Sequence, residues 1–202
     1  MQPTTITGTN TSTDGLVFDE LTHKYFVNGC EYPSVTTVLI AEGFINAEWF
    51  TEWSRERGKF AHLCAHLDDT GELDEDTVDP ALTPYLEAYR RFKRESGFIV
   101  SGSEVQMVNT GYRFAGTLDK IGTFKDATCA IIDLETGGHQ PSKAIQTAAY
   151  EILKGSPYKR FGLQLKNDGR YKLHPFTDRQ DRQIFLSALA IYHYKQNMRR
   201  GK

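Results

Sequence analysis

No stretch of the chain approaches the roughly 20 consecutive apolar residues that a helix needs to cross a bilayer, and no basic and apolar leader opens it. That argues against a helical membrane protein and predicts a soluble one with no membrane partner. Cysteine is scarce: Cys30, Cys64 and Cys129 stand far apart, without paired spacing. Zinc ribbons and iron–sulfur clusters are excluded, and an odd count of isolated thiols fits a reducing, cytoplasmic setting. An excess of either charge is also missing, since 24 Lys and Arg against 26 Asp and Glu leave −2. Affinity for a polyanion must then come from a local patch, either Arg90-Arg91-Phe92-Lys93-Arg94 or the Arg199-Arg200-Gly201-Lys202 tail. No Gly-x-Ser-x-Gly occurs, so a serine-nucleophile hydrolase has no motif to stand on.

What is present suffices for one well-buried core: 202 residues, 39% of them hydrophobic, with no linker-like interruption. A single domain over 14–202 is expected, behind a Thr- and Ser-rich 1–13 with little to bury and a disordered start. Alternating apolar residues from Leu16 to Tyr32, broken at Asn28-Gly29, predict a β-hairpin. A short helix follows near Thr36 to Ile40. Trp49, Phe50, Trp53, Phe60, Leu63 and Leu67 then keep near-helical spacing, which predicts a helix packed through its aromatics. Residues 68–79 hold seven Asp or Glu and read as a solvated loop. Pro84 to Ser96 is a helix with Tyr85, Leu86, Tyr89 and Phe92 on one side and the basic run elsewhere, either a solvated face or a phosphate-tracking one. Phe98 to Val108 is a strand carrying Glu104. Toward the C-terminus, Tyr158 to Leu165 and Arg170 to Phe176 flank the turn Lys166-Asn167-Asp168-Gly169, and Thr177-Asp178 caps a last helix that runs to about Met198.

The most informative stretch runs from Gly111 to Tyr150. Its runs 112–124 and 128–134 predict two strands joined by a turn at Lys125-Asp126. A turn centred near Asp126 sets Asp119 opposite Asp133, where side chains on one face come within ~5 Å. Alternation along the strand turns Glu135 to the same face as Asp133. Clustered carboxylates repel unless a cation intervenes, and clustered oxygen ligands suit Mg²⁺ or Mn²⁺, so a divalent-metal site is expected. On the helix opened by Gln140-Pro141, the residues Lys143, Gln146, Thr147 and Tyr150 recur at three- and four-residue steps and share a face.

Gly116-Thr117-Leu118-Asp119, then Asp133-Leu134-Glu135-Thr136-Gly137, then Gln146 and Tyr150 resemble the PD-(D/E)XK nuclease superfamily, in its RecB-like and phage exonuclease-like branch. The N-terminal Phe18-Asp19-Glu20 through Tyr25, Gly29 and Pro33 to Leu39, and the segment Arg57-Gly58-Lys59-Phe60-Ala61-His62, extend the likeness over most of the chain. The resemblance implies an α/β fold with a restriction-endonuclease-like core, a central mixed sheet flanked by helices behind an N-terminal hairpin. It implies His62, Asp119, Asp133 and the backbone carbonyl of Leu134 as ligands of Mg²⁺ or Mn²⁺, with Gln146 and Tyr150 facing DNA or the pocket. His66 is the competing histidine; His62 is preferred because Arg57-Gly58 precedes it at the branch's spacing. The implied activity is hydrolysis of DNA, as linear duplex or single-stranded ends, in phage or prophage recombination, repair or processing. A recombination partner protein and the bacterial host cytoplasm belong to that expectation.

One position departs from the pattern. The superfamily carries lysine two residues after the second acid, where this chain has Glu135. A cation there offsets charge building on the phosphate, and an acid reverses the local electrostatics. The expectation is weak cleavage, unless Lys143 fills the role from its helix. The rival is a degenerate nuclease fold that binds nucleic acid or a protein and does not cut.

Overall fold

The computed structural model describes residues 15–19, 21–22, 24–46 and 51–200. The expectations for residues 1–13, for Trp49 and Phe50, and for Gly201 and Lys202 lie outside these. Strands β1 (Leu16–Asp19), β2 (Lys24–Val27) and β3 (Cys30–Tyr32) form a small antiparallel sheet, one strand more than a bare hairpin. Its β2–β3 turn is Asn28-Gly29, with φ of 50° and 76°, the left-handed pair whose twist matches the flanking strands. Helix α1 (Val35–Ala41) starts where Ser34 Oγ accepts the Thr37 N–H at 2.9 Å. Helix α2 (Glu52–Thr70) starts the same way at Thr51, and α3 (Thr83–Ser96) follows after an acidic connector.

The second sheet has the order β4 (Ile99–Asn109), β5 (Phe114–Thr123), β6 (Cys129–Glu135), β7 (Lys159–Leu165), β8 (Tyr171–Phe176). Neighbours are antiparallel except β6 and β7, which run parallel because helix α4 (Ser142–Lys154) carries the chain back between them. The sheet is therefore mixed, as expected. One face is covered by α1, α4 and the last helix α5 (Gln180–Arg200), through Leu39, Ile145, Leu153, Phe185 and Leu189 against Phe114, Leu118 and Ile131. The other is covered by α2 and α3, through Ala61, Ala65, Tyr89 and Phe92 against Ala130, Ile132, Leu134 and Leu163. Ile131 thus belongs to one layer, and Ala130, Ile132 and Leu134 to the other. By that alternation Asp133 and Glu135 lie on the α4 side. No helix among the described residues is long and apolar enough to cross a membrane.

Three expectations need correction. The large side chains of α2 are not its core face: Trp53, Phe60 and Leu63 are 62%, 47% and 45% exposed, and Ala61 and Ala65 make the buried contact. Small residues were selected because the helix lies close against the sheet, and an amphipathicity count weighted toward aromatics overlooks them. The acids at the start of 68–79 are not solvated either. Asp68 pairs with Arg90 and Lys93, and Asp69 pairs with Lys93 and with fully buried Lys120. Arg90 and Lys93, half of the charge expected on the basic face of α3, are consumed by those bridges and by Glu75, while Arg91 pairs with Glu95. The bridges leave that helix poor in cations for tracking phosphate.

Candidate metal and active site

The β5–β6 ladder runs from Thr123 opposite Cys129 to Lys120 opposite Ile132, which is the expected register. One step further, where Asp119 and Asp133 fall, the strands open. There Asp119 Oδ2 accepts the Leu134 N–H at 2.7 Å, so the carboxylate takes the place of a ladder bond and is fixed by the backbone it would otherwise pair with. His62 reaches the same point from α2. Its Nε2 lies 3.2 Å from the Leu134 carbonyl oxygen, and its Nδ1 lies 3.6 Å from both Asp119 Oδ1 and Glu104 Oε1. Gly58, one turn earlier on α2, lies beside Thr136 just past the end of β6, where an added Cβ would come within 3.7 Å of Oγ1.

Glu104 enters through an irregularity that the sequence marks only by Gly102, an isolated glycine inside the strand. The β4–β5 register shifts between Val100 and Gly102, and Glu104 itself has φ of 53°, a left-handed conformation inside a strand. Such a backbone costs ~1–3 kcal/mol in a non-glycine residue and persists where the surroundings hold it. The shifted register brings Glu104 across from Asp119. His62, Glu104 and Asp119 offer donor atoms within 4.8 Å of one another, a compact group able to surround one ion. From the sequence, the resemblance implies Glu104 as an accessory acid close to the active centre and not as a member of the donor group. His66 is occupied elsewhere, with Nδ1 2.9 Å from Ser103 Oγ, which also accepts from Lys120 Nζ at 2.6 Å.

Asp133, 1% exposed, lies outside that donor group and is engaged by Lys143, whose Nζ is 2.6 Å from Oδ2. The contact is an ion pair by distance, yet neither Asp133 oxygen accepts a well-directed hydrogen bond. Glu135 is buried as well, with Oε1 3.3 Å from His139 Nδ1 and Oε2 unpartnered. Gln146 and Tyr150 lie under the carboxylates, joined by a 2.9 Å hydrogen bond from Gln146 Nε2 to the phenol oxygen. Tyr25 ties the small sheet to β5 through a 2.6 Å hydrogen bond with Thr117.

The electrostatics follow from burial. Asp133 is pushed up to about 6, by loss of water first and by Asp119, with Lys143 pulling the other way. Asp119 is raised by burial, partly offset by His62. Burial opposes protonation of His62, but Asp119, Glu104 and Asp133 outweigh it, and its pKa is pushed up to about 9. Burial works against the Lys143 charge in the same way, and Asp133, Asp119 and Glu135 hold it above its ordinary value. Burial and Asp133 raise Glu135. Such a nest of acids is stable only around positive charge, here a protonated imidazole and one ammonium. Glu104 Oε1 and Asp133 Oδ1 are buried without hydrogen-bond partners, while Asp133 Oδ2 is held by Lys143. Unpartnered buried oxygens beside an imidazole are what a hard divalent ion takes, so the donor set fits the expected Mg²⁺ or Mn²⁺.

No protein-family model matches the sequence, and no curated protein matches it. Solved structures do. A protein from Eubacterium rectale, provisionally described as an exonuclease, is similar with TM-score 0.52 at 12% identity, over 81% of this chain and 79% of that one. An alkaline exonuclease from Laribacter hongkongensis is similar at 15% identity, over 82% of this chain and 93% of its own, with TM-score 0.37. The second likeness is too loose to carry weight. The first establishes the fold, an α/β architecture with a central mixed sheet flanked by helices, as expected.

Proposed function

We propose that this chain is a metal-dependent deoxyribonuclease, acting on DNA ends as an exonuclease, with Lys143 supplying from α4 the cation that Glu135 cannot supply from β6. The observation that carries the reading is the convergence of His62, Glu104 and Asp119, the first and last held on the Leu134 backbone, with Lys143 Nζ 2.6 Å from Asp133. His62, Asp119, Asp133 and the Leu134 carbonyl, joined by Glu104, would hold Mg²⁺ or Mn²⁺, whose chemistry when bound is to activate water and offset charge on the phosphate. The protein's own parts have separate tasks. Asp119 is oriented by the Leu134 N–H and His62 by the Leu134 carbonyl, and Tyr150, hydrogen-bonded to Gln146, lies near both aspartates. Lys143 brings a preorganised positive charge to where the phosphate becomes more negative, a term that typically supplies on the order of 10²-fold to 10³-fold in rate.

The degenerate-fold reading draws on Glu135, and the ion pair of Lys143 with Asp133 speaks against it. Incubation with linear duplex, nicked and single-stranded DNA in Mg²⁺ or Mn²⁺ separates the two. Cleavage that requires the metal and a DNA end supports the nuclease; binding without cleavage under all conditions supports the module. A role in phage recombination, with a partner protein in a bacterial cytoplasm, accompanies this reading and is tested by copurification of the tagged chain from infected cells.

A further inference from the structure

Glu135 is built into a second cluster that the proposed metal chemistry does not use. Its Oε1 occupies the space above Gly162 on β7, where an added Cβ would come within 2.5 Å of it, and it lies 3.3 Å from His139 Nδ1. His139 is stacked on His174 of β8, with ring centroids 4.1 Å apart and planes 4° from parallel, and the Phe176 ring continues the stack at 5.6 Å. Gln164 of β7 completes the frame, donating Nε2 to the Gly137 carbonyl at 2.8 Å and approaching His174 Nε2 at 3.5 Å. Three strands thus hold one imidazole on the loop between β6 and α4. A loop containing Gly137 and Gly138 would leave such a side chain unfixed, and fixing it costs conformational entropy that the frame must offset.

The position is suggestive of a ligand contact. The loop lies past the carboxyl ends of the parallel pair β6 and β7, the edge at which open α/β sheets bind ligands. It leads directly into Lys143, and the His139 side chain is 32% exposed while the Glu135 side chain behind it is 3% exposed. A buried carboxylate beside one ring nitrogen fixes the orientation of the imidazole that bears it. We propose that His139 contacts a backbone phosphate of the DNA, with Glu135 and His174 as the positioning residues that present it; the proposal rests on the nuclease reading above. Glu135 then serves the phosphate through His139 instead of repelling it, which reverses the sign expected for its neutralisation.

The test is DNA binding without turnover: fluorescence anisotropy of a fluorescein-labelled duplex in Ca²⁺, for the parent, His139→Gln, Glu135→Gln and the double variant. Loss of one charge-assisted phosphate contact should weaken binding on the order of tenfold. Glu135→Gln should weaken binding in the same direction, and the double variant should be no weaker than His139→Gln. Should Glu135→Gln fail to fold, Gly162→Ala displaces the same oxygen with the charge retained and should reproduce the loss. Tighter or unchanged binding by Glu135→Gln, or unchanged binding by His139→Gln, overturns the proposal. A parent that does not bind the duplex at all overturns the nuclease reading and this inference together, whereas a parent that binds and ignores these substitutions overturns the inference alone.

Discussion

Lys143→Ala removes the cation from a buried carboxylate and should make the fold depend on metal. Asp133 is 1% exposed and Lys143 Nζ lies 2.6 Å from it, so the variant leaves an uncompensated charge in the α4-side layer. Breaking a buried pair from one side costs ~3–5 kcal/mol, and the partly exposed ammonium places this case near the low end, about 3 kcal/mol. For a chain of this size that is a fall of roughly 6–12 °C in the unfolding midpoint. The pH dependence has a definite sign. Asp133 in the folded parent already titrates at about 6, above its ordinary 3.8, so the folded state prefers the protonated acid. Its contribution to stability is whole below the ordinary value and is lost as pH rises through the folded one. Without Lys143 that loss deepens, so the deficit should be small in acid and full at pH 8. Saturating Mn²⁺ should restore most of it, because a divalent ion replaces the missing positive charge and binds only the folded state. Urea denaturation at pH 5 and pH 8, with and without Mn²⁺, reads all of this. A variant as stable as the parent at pH 8 without metal, or a deficit indifferent to Mn²⁺, would refute the reasoning.

Asp119→Ala should abolish most Mn²⁺ binding by calorimetry, since it removes a donor and the acceptor of the Leu134 N–H; parent-like binding would mean the donor group lies elsewhere. His62 must lose its proton to bind metal, and with its pKa at about 9 the Mn²⁺ affinity of the parent should rise from pH 7 to pH 9. His62→Ala should bind more weakly, with a flatter pH profile and less preference for Mn²⁺ over Mg²⁺; an unchanged profile would remove His62 from the site. Glu135→Lys should give no gain in cleavage, because its carboxylate occupies the space above Gly162 and not the Lys143 position; a large gain in initial rate would show that strand position to be the one that matters.

The hairpin and its register were legible because two signals coincided, the polar turn at Lys125-Asp126 and apolar runs of matching length on either side. Lys143 was legible as a residue on the same helical face as Gln146 and Tyr150, and the parallel β6–β7 pairing is what brings that face over Asp133. Glu104 was legible only as an accessory acid, placed near the centre by the resemblance and not by any spacing. Its approach to His62 depends on a one-residue register shift and a left-handed backbone, and neither is encoded by a Gly, Pro or Asn at position 104. The direction of α2 was misjudged because Trp53 and Phe60 outweigh Ala61 and Ala65 in any hydrophobic count, whereas close helix–sheet packing selects for small side chains. The neutralised basic face of α3 could not be foreseen for a related reason. Its partners Asp68 and Asp69 belong to the end of α2, and sequence distance says nothing about which charges meet.

Initial rates of DNA cleavage by the parent and by Lys143→Ala, on one linear duplex in Mn²⁺ and in Mg²⁺ with metal-free controls, test the central claim most directly. The account requires that the parent cut in either ion and not without one, and that Lys143→Ala, under folded and metal-saturated conditions, be slower by on the order of 10²-fold or more. A parent that binds the duplex and leaves it intact in both ions would contradict the account, as would one that cuts while Lys143→Ala keeps pace with it.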